Sequence, residues 1–189
     1  CILKKLKDKD DRRVTFIEHS LKELSSKLRA KKSDLLVRIG NPIDEIPKLA
    51  AELKVNAVFA NRDYEPYAKK RDLKVSKSLL ANGINFKSCK DQVIFEYPEI
   101  ISGQGRPYRV YTPYKNNWLK NIGPQHISDQ VVNFKALASL RNINPHIIKW
   151  SFSTLGFKES SLWLKAGETA AQKRLKNIKK FENNYFDNR

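Results

Sequence analysis

Asp63 and Glu65 stand two residues apart in the run Asn61-Arg62-Asp63-Tyr64-Glu65-Pro66-Tyr67-Ala68-Lys69-Lys70-Arg71-Asp72. On an extended backbone, side chains at that spacing point the same way, so both carboxylates can accept hydrogen bonds from one ligand. Beside a helix start the same residues can cap it and pair with Lys69 or Arg71. Both readings stay open on the sequence. Tyr64, Tyr67, Tyr108, Tyr111, Tyr114 and Trp118 can stack on bases or on a planar cofactor, or fill a core or a domain interface. For covalent chemistry the chain offers little. It has no nucleophile elbow, no phosphate loop, no HExxH and no carboxylate pair of clear geometry, so no catalytic residue is assigned. Gly103-Gln104-Gly105-Arg106-Pro107 lacks the third glycine of a dinucleotide fingerprint and does not join a strand to a helix. His19, His126 and His146 are not at ligand spacing, so no metal site is assigned, and His19 reads as a surface or boundary residue of a helix.

The elements around the polar run follow from pattern. Ala57-Val58-Phe59-Ala60 is a short buried strand, and Pro66 to Asn82 is a helix that stops at Asn82-Gly83. The polar run therefore lies at the carboxyl end of a strand, where open α/β sheets bind their ligands. Upstream, Asp10-Asp11 cap a helix from Arg12 to Lys31, with Val14, Ile17, Leu21, Leu24 and Leu28 on one stripe. Leu35 to Ile39 reads as a strand ending at Gly40-Asn41. Asn41 then caps a helix with Pro42 in its first position, and Pro47 is expected to delay or bend its first turns. Ile84 to Ser88 is a third strand. Helices separate all three strands, so they are expected to be parallel with right-handed crossovers. Tyr108 to Thr112 reads as extended, followed by a short helix from Tyr114 to Lys120. Residues 121–165 are irregular, yet hold too many large apolar groups for a free linker. A last helix spans Gly167 to Asn183, with Ala170, Ala171, Leu175, Ile178 and Phe181 on one side.

The 189 residues suffice for one substantial core, and no apolar run approaches the roughly 18 residues of a membrane span. The start has no secretory pattern, and Cys1 and Cys89 form no CxxC pair, so a reducing cytosol is the expected setting. The charge of +17 favours an anionic partner, nucleic acid first. Its basic residues are mostly lysines spread over the whole chain, which fits biased codon usage equally well. The chain starts with Cys and has no Met, so it reads as a fragment.

The stretch NRDYEPYAKKRD, followed by KDQVIFEYPEIISGQGRPYRVYTPYKNNW, closely resembles the N-terminal domain of the DNA photolyase/cryptochrome family, nearest to the class I cyclobutane pyrimidine dimer photolyases of microbes. The order Asp11-Arg12-Arg13-Val14 before these motifs and Ala166-Gly167-Glu168-Thr169-Ala170-Ala171 after them fits the same family. The resemblance implies a Rossmann-like α/β fold, a parallel sheet of order 3-2-1-4-5 with flanking helices, here without its first two strands. The antenna domain would cover 1–122, with an interdomain linker and the start of a helical domain over 123–189.

By the same resemblance the function is light-dependent DNA repair. In the family a reduced FAD in a C-terminal helical domain splits pyrimidine dimers, and the N-terminal domain carries an antenna chromophore that feeds it energy. This chain matches the antenna part, so the FAD site and most DNA contacts are expected outside it, and the fragment alone is expected to be inactive. In members with a deazaflavin antenna the ligand lies along the D-x-E-P-Y stretch and an arginine of the first helix. Here these are Asp63, Glu65, Tyr67, Arg71 and Arg13. Folate-binding members carry an Asn-Glu pair where this chain has Tyr67-Ala68, which favours a deazaflavin over methenyltetrahydrofolate. The intact enzyme is expected to be a cytoplasmic monomer acting on DNA that contains pyrimidine dimers. A cryptochrome light receptor and a stand-alone basic nucleotide- or nucleic-acid-binding α/β protein are the alternatives.

Overall fold

The structure, a computed structural model, describes residues 2–128 and 131–178. Contacts divide the chain into two compact units, one from Ile39 to Val132 and one joining the residues up to Arg38 with those from Asn133 onward.

In the first unit, α3 (Pro42–Glu52) starts where the sequence places it: the Asn41 side chain accepts a hydrogen bond from the Ile43 N–H at 3.3 Å, and Pro42 takes the first turn. Pro47 neither delays nor interrupts it; the helix runs through, with the ring buried. Then follow β1 (Ala57–Asn61), α4 (Pro66–Ala81) and β2 (Asn85–Cys89). The two strands are parallel, with Ala57 opposite Asn85 and Asn61 opposite Cys89. α4 closes at Asn82 and Gly83, whose φ of +72° is the left-handed conformation glycine adopts without strain. Ala50 of α3, Val75 and Leu79 of α4, and Ile84 form the core, with Val58 and Phe86 packed against it from the sheet. The helices thus cover the sheet face that bears Val58 and Phe86. Phe59 and Lys87, paired in register, point to the opposite face, where the Lys87 ammonium lies 5.5 Å from the Phe59 ring centre.

In the second unit, α1 (Ile2–Lys5) precedes α2 (Arg12–Ala30), which the Asp11 carboxylate caps by accepting the Arg13 N–H at 2.8 Å. The irregular stretch carries the short helices α6 (Pro124–Ile127), in the first unit, and α7 (Leu140–Ile143), with single 3₁₀ turns at Phe134–Ala136, Asn144–His146 and Phe152–Leu155. Trp150, Phe152 and Phe157 have the expected packing role, whereas Trp163 is exposed. Phe152 and Phe157 are buried with Val14 of α2, and Leu21, Trp150 and Leu155 pack around them. Hydrogen bonds hold the same contact: Glu18 accepts from Ser151 Oγ at 3.1 Å and from the Phe152 N–H at 3.2 Å, and His19 bonds Glu159 at 2.9 Å. α8 (Glu168–Lys176) ends at Asn177, short of the expected Asn183. Residues 179–183 of that expected helix lie outside the described ones, and Leu175 is exposed.

Two further sequence expectations are corrected. Leu35 to Ile39 forms no strand. A strand is defined by its ladder, and among the described residues β1 and β2 pair only with each other. Tyr108 to Thr112 is not extended throughout: α5 runs Tyr111–Asn121 from an extended Val110. Pro113 is tolerated because it falls in the first turn, where the N–H groups have no intrahelical partner. The architecture is the expected small parallel sheet flanked by helices.

Candidate functional site

The carboxyl end of β1 passes directly into Arg62, Asp63, Tyr64 and Glu65 before α4 begins at Pro66. The Arg62 N–H still donates to the Cys89 carbonyl at 2.8 Å, so the sheet ladder carries the chain into the turn. A cleft of about 560 Å³ opens here. Arg62, Asp63 and Tyr64 form one wall, Lys69, Asp72 and Ser76 of α4 another. Phe86 and Ser88 of β2, with Glu96 and Tyr97 of the following loop, complete it. Its lining mixes cations, carboxylates, hydroxyls and aromatic faces, with no nucleophile placed beside a base. Such a lining offers non-covalent contacts suited to a polar, partly planar molecule.

Of the residues singled out by sequence, Asp63 lines this cleft. Its Oδ1 also accepts the Glu65 N–H at 3.0 Å, so it fastens the turn that leads into α4. Glu65 occupies the cap position without a side-chain capping bond and is exposed. Tyr67, in the first turn of α4, is 60% exposed. Arg71 donates to Asp72 at 2.7 Å, and that carboxylate holds its guanidinium more firmly protonated. Among the described residues neither Asp63 nor Glu65 pairs with Lys69 or Arg71. Arg13 belongs to the other unit, where its guanidinium grips Asp11 through Nη2 at 2.6 Å and Nε at 3.0 Å. That pairing pulls the Asp11 carboxyl below its ordinary range.

Sequence reasoning missed Glu96 and the contacts that tie Arg62 and Tyr64 to it. The Tyr64 hydroxyl donates to Glu96 Oε1, and Glu96 Oε2 pairs with Arg62 at 3.0 Å. The Glu96 N–H donates to Glu99, which Lys90 holds through both carboxylate oxygens at 2.8 Å. The bond to Glu96 pushes the Tyr64 phenol up to about 12, and Lys90 draws Glu99 down. Lys90 also lies 5.9 Å from the ring of Phe95, which packs on Trp118 at 5.7 Å and on His126 at 4.9 Å. The stretch KDQVIFEYPEI held the signal, since Glu96 and Glu99, in a loop beside apolar residues, need cationic or hydroxyl partners. No group of acidic, histidine or cysteine side chains suited to a metal occurs among the described residues.

Residues 2–131 match the DNA photolyase family. Over 168 residues the chain is 33% identical to the deoxyribodipyrimidine photo-lyase of a Synechococcus strain, covering 86% of this chain and 34% of that protein. It is 31% identical over 164 residues to the deoxyribodipyrimidine photo-lyase of Halobacterium salinarum, with the same shares of 86% and 34%. Among solved structures, that of a bacterial class III photolyase from Agrobacterium tumefaciens is similar with a TM-score of 0.55 and 26% identity, over 65% of this chain and 25% of that one. The chain therefore spans about one third of the length of these curated relatives. The matched span holds the β1–α4 turn, the cleft and the Glu96 network alike, and the chain belongs to the DNA photolyase family.

Proposed function

We propose that this chain is the light-collecting antenna domain of a deoxyribodipyrimidine photo-lyase, a carbon–carbon lyase that uses light to split cyclobutane pyrimidine dimers in DNA. The observation that carries the reading is the cleft of about 560 Å³ beside the strand end that bears the family's D-x-E-P-Y stretch. Its volume lies within the roughly 300–1,000 Å³ typical of cofactor pockets. Phe86 and Tyr97 supply apolar faces for a planar ring system. Arg62, Lys69, Ser76 and Ser88 supply donors for its polar edge. The chromophore in this reading is a deazaflavin. Ala68, which stands in the folate-associated pair, is 1% exposed and offers a ligand no acidic side chain. Bound in the cleft, the chromophore would absorb light and pass on the excitation. The chain's own residues hold and orient it and limit its contact with water. Electron transfer from FAD and contact with the damaged DNA belong in this reading to the whole enzyme, a cytoplasmic monomer.

The test is a titration of the 189-residue chain with a deazaflavin, followed by the ligand's fluorescence. Ser76→Trp, which fills the cleft from α4, is expected to abolish binding while far-UV circular dichroism stays unchanged. Methenyltetrahydrofolate is expected to bind at least about tenfold more weakly, a difference of about 1.4 kcal/mol. Equal affinity for the two ligands, or deazaflavin binding that survives Ser76→Trp, would overturn the assignment.

A further inference from the structure

Trp163 is 80% exposed, whereas Trp118 and Trp150 are half-buried. It lies in the unit that contains α2 and α8, and it separates two hollows. One, of about 270 Å³, is also lined by Arg12 and Arg13 of α2. The other, of about 460 Å³, has Lys165 and, from α8, Lys173 and Arg174. Trp163 and Leu164 wall both. An indole is costly to leave in water, and here it stands between two groups of cations.

The cations are not accounted for by internal pairing. Arg13 is held by Asp11. Among the described residues Arg12, Lys165, Lys173 and Arg174 have no acidic partner. The one carboxylate lining the larger hollow, Glu23, is already held by Lys27 at 2.8 Å and by Thr169, which keeps it ionised down to about pH 2. Arg12 also occupies the first position of a 19-residue helix, where the backbone dipole repels a cation. An anion beside Arg12 would relieve that repulsion. Lys173 and Arg174 sit in the last turn of α8, where the dipole favours them.

We propose that this face binds single-stranded nucleic acid, with a base stacked on Trp163, the phosphate on one side held by Arg12 and those on the other by Lys165, Lys173 and Arg174. Stacking on a solvent-exposed aromatic flanked by cations is how strands are held without regard to sequence. A base has a flat apolar face for the indole and phosphates for the cations on both sides. A purely apolar partner would leave those cations without counter-charge. The surface lies outside the cleft and does not depend on the light-collecting reading.

The test uses the 189-residue chain and undamaged oligothymidylate, with tryptophan fluorescence as readout and circular dichroism as a check on folding. Quenching on binding is expected, and Trp163→Ala is expected to weaken binding by at least about fivefold, the lower end of what one stacked base contributes. Trp163→Phe, which keeps a ring, should retain most of the affinity. Removing three cations in R12A/K173A/R174A should make the plot of log K against log salt shallower by about 2. Unchanged affinity in Trp163→Ala, or an unchanged salt slope in the triple variant, would overturn the proposal. So would sedimentation showing that Trp163 is covered by a second copy of the chain that the oligonucleotide does not displace.

Discussion

Among the described residues each strand of the sheet has an open edge, and the consequence of the one on β1 can be worked out residue by residue. The Asn56 carbonyl accepts from the Asn85 N–H and the Arg62 N–H donates to the Cys89 carbonyl, so even-numbered residues of this stretch direct their backbone groups toward β2. Ala57, Phe59 and Asn61 direct theirs away, which leaves six ladder groups with no strand to meet them among the described residues. Two copies meeting antiparallel about Phe59 would satisfy all six. At about 0.5–1.5 kcal/mol net per bond this gives about 3–9 kcal/mol, set against an association cost of about 4–15 kcal/mol. The balance runs from about 12 kcal/mol against pairing to about 5 kcal/mol in favour, and the charge of +17 opposes contact until salt screens it. The isolated chain should therefore self-associate as salt and concentration rise, and should lack a single cooperative thermal transition. Phe59→Lys tests the cause. Phe59 is 66% exposed, so little core is lost, yet the change removes an aromatic contact and sets like charges opposite one another across the pairing. The two effects together cost about 2 kcal/mol, roughly thirtyfold in dissociation constant. Sedimentation velocity and light scattering across a salt series read it. A monomeric parent chain that melts in one cooperative step, or a Phe59→Lys variant that associates as readily as the parent, would refute the reasoning.

Two other predictions follow from single contacts. The Tyr64 phenol is raised from 10.0 to about 12 by its bond to Glu96, so that bond stabilises the fold fully below pH 10 and is lost as the pH rises toward 12. Phenolate absorbance, with Tyr64→Phe as the difference, should show one late-titrating tyrosine that Glu96→Gln returns toward the ordinary range; an unchanged titration in Glu96→Gln would exclude the contact. Leu79 and Leu80 are neighbours on α4, but Leu79 is fully buried and Leu80 is 69% exposed. Leu79→Ala should cost about 2–5 kcal/mol and strip hydrogen-exchange protection from β1 and β2, while Leu80→Ala should stay within about 0.5 kcal/mol. Equal effects would mean the helix face is wrongly placed.

What the sequence made legible was local. Asp11 and Asn41 cap helices through bonds that span two residues, and Asn82-Gly83 stops α4 through its own backbone; a reader of the chain has every partner in view. Leu35 to Ile39 forms no strand because a short apolar run gains a ladder only from another segment. The sequence places the start of α5 late for a different reason: proline suits the first helical position, but any place in the first turn tolerates it, and the helix begins at Tyr111. The same division runs through the site. Asp63 was visible because its turn is local, and family resemblance drew attention to it. Tyr64 is one of the aromatics able to stack, yet its hydroxyl bonds Glu96, 32 residues away across β2. That bond is what ties the β1–α4 turn to the loop after β2 and closes one side of the cleft. The polar run at the strand end therefore does not make a site by itself. Phe86 and Ser88 of β2, with Glu96 and Tyr97 after it, supply the facing part of the wall, and any ligand that enters there must displace or share the hydrogen bonds that Arg62, Tyr64 and Glu96 already make.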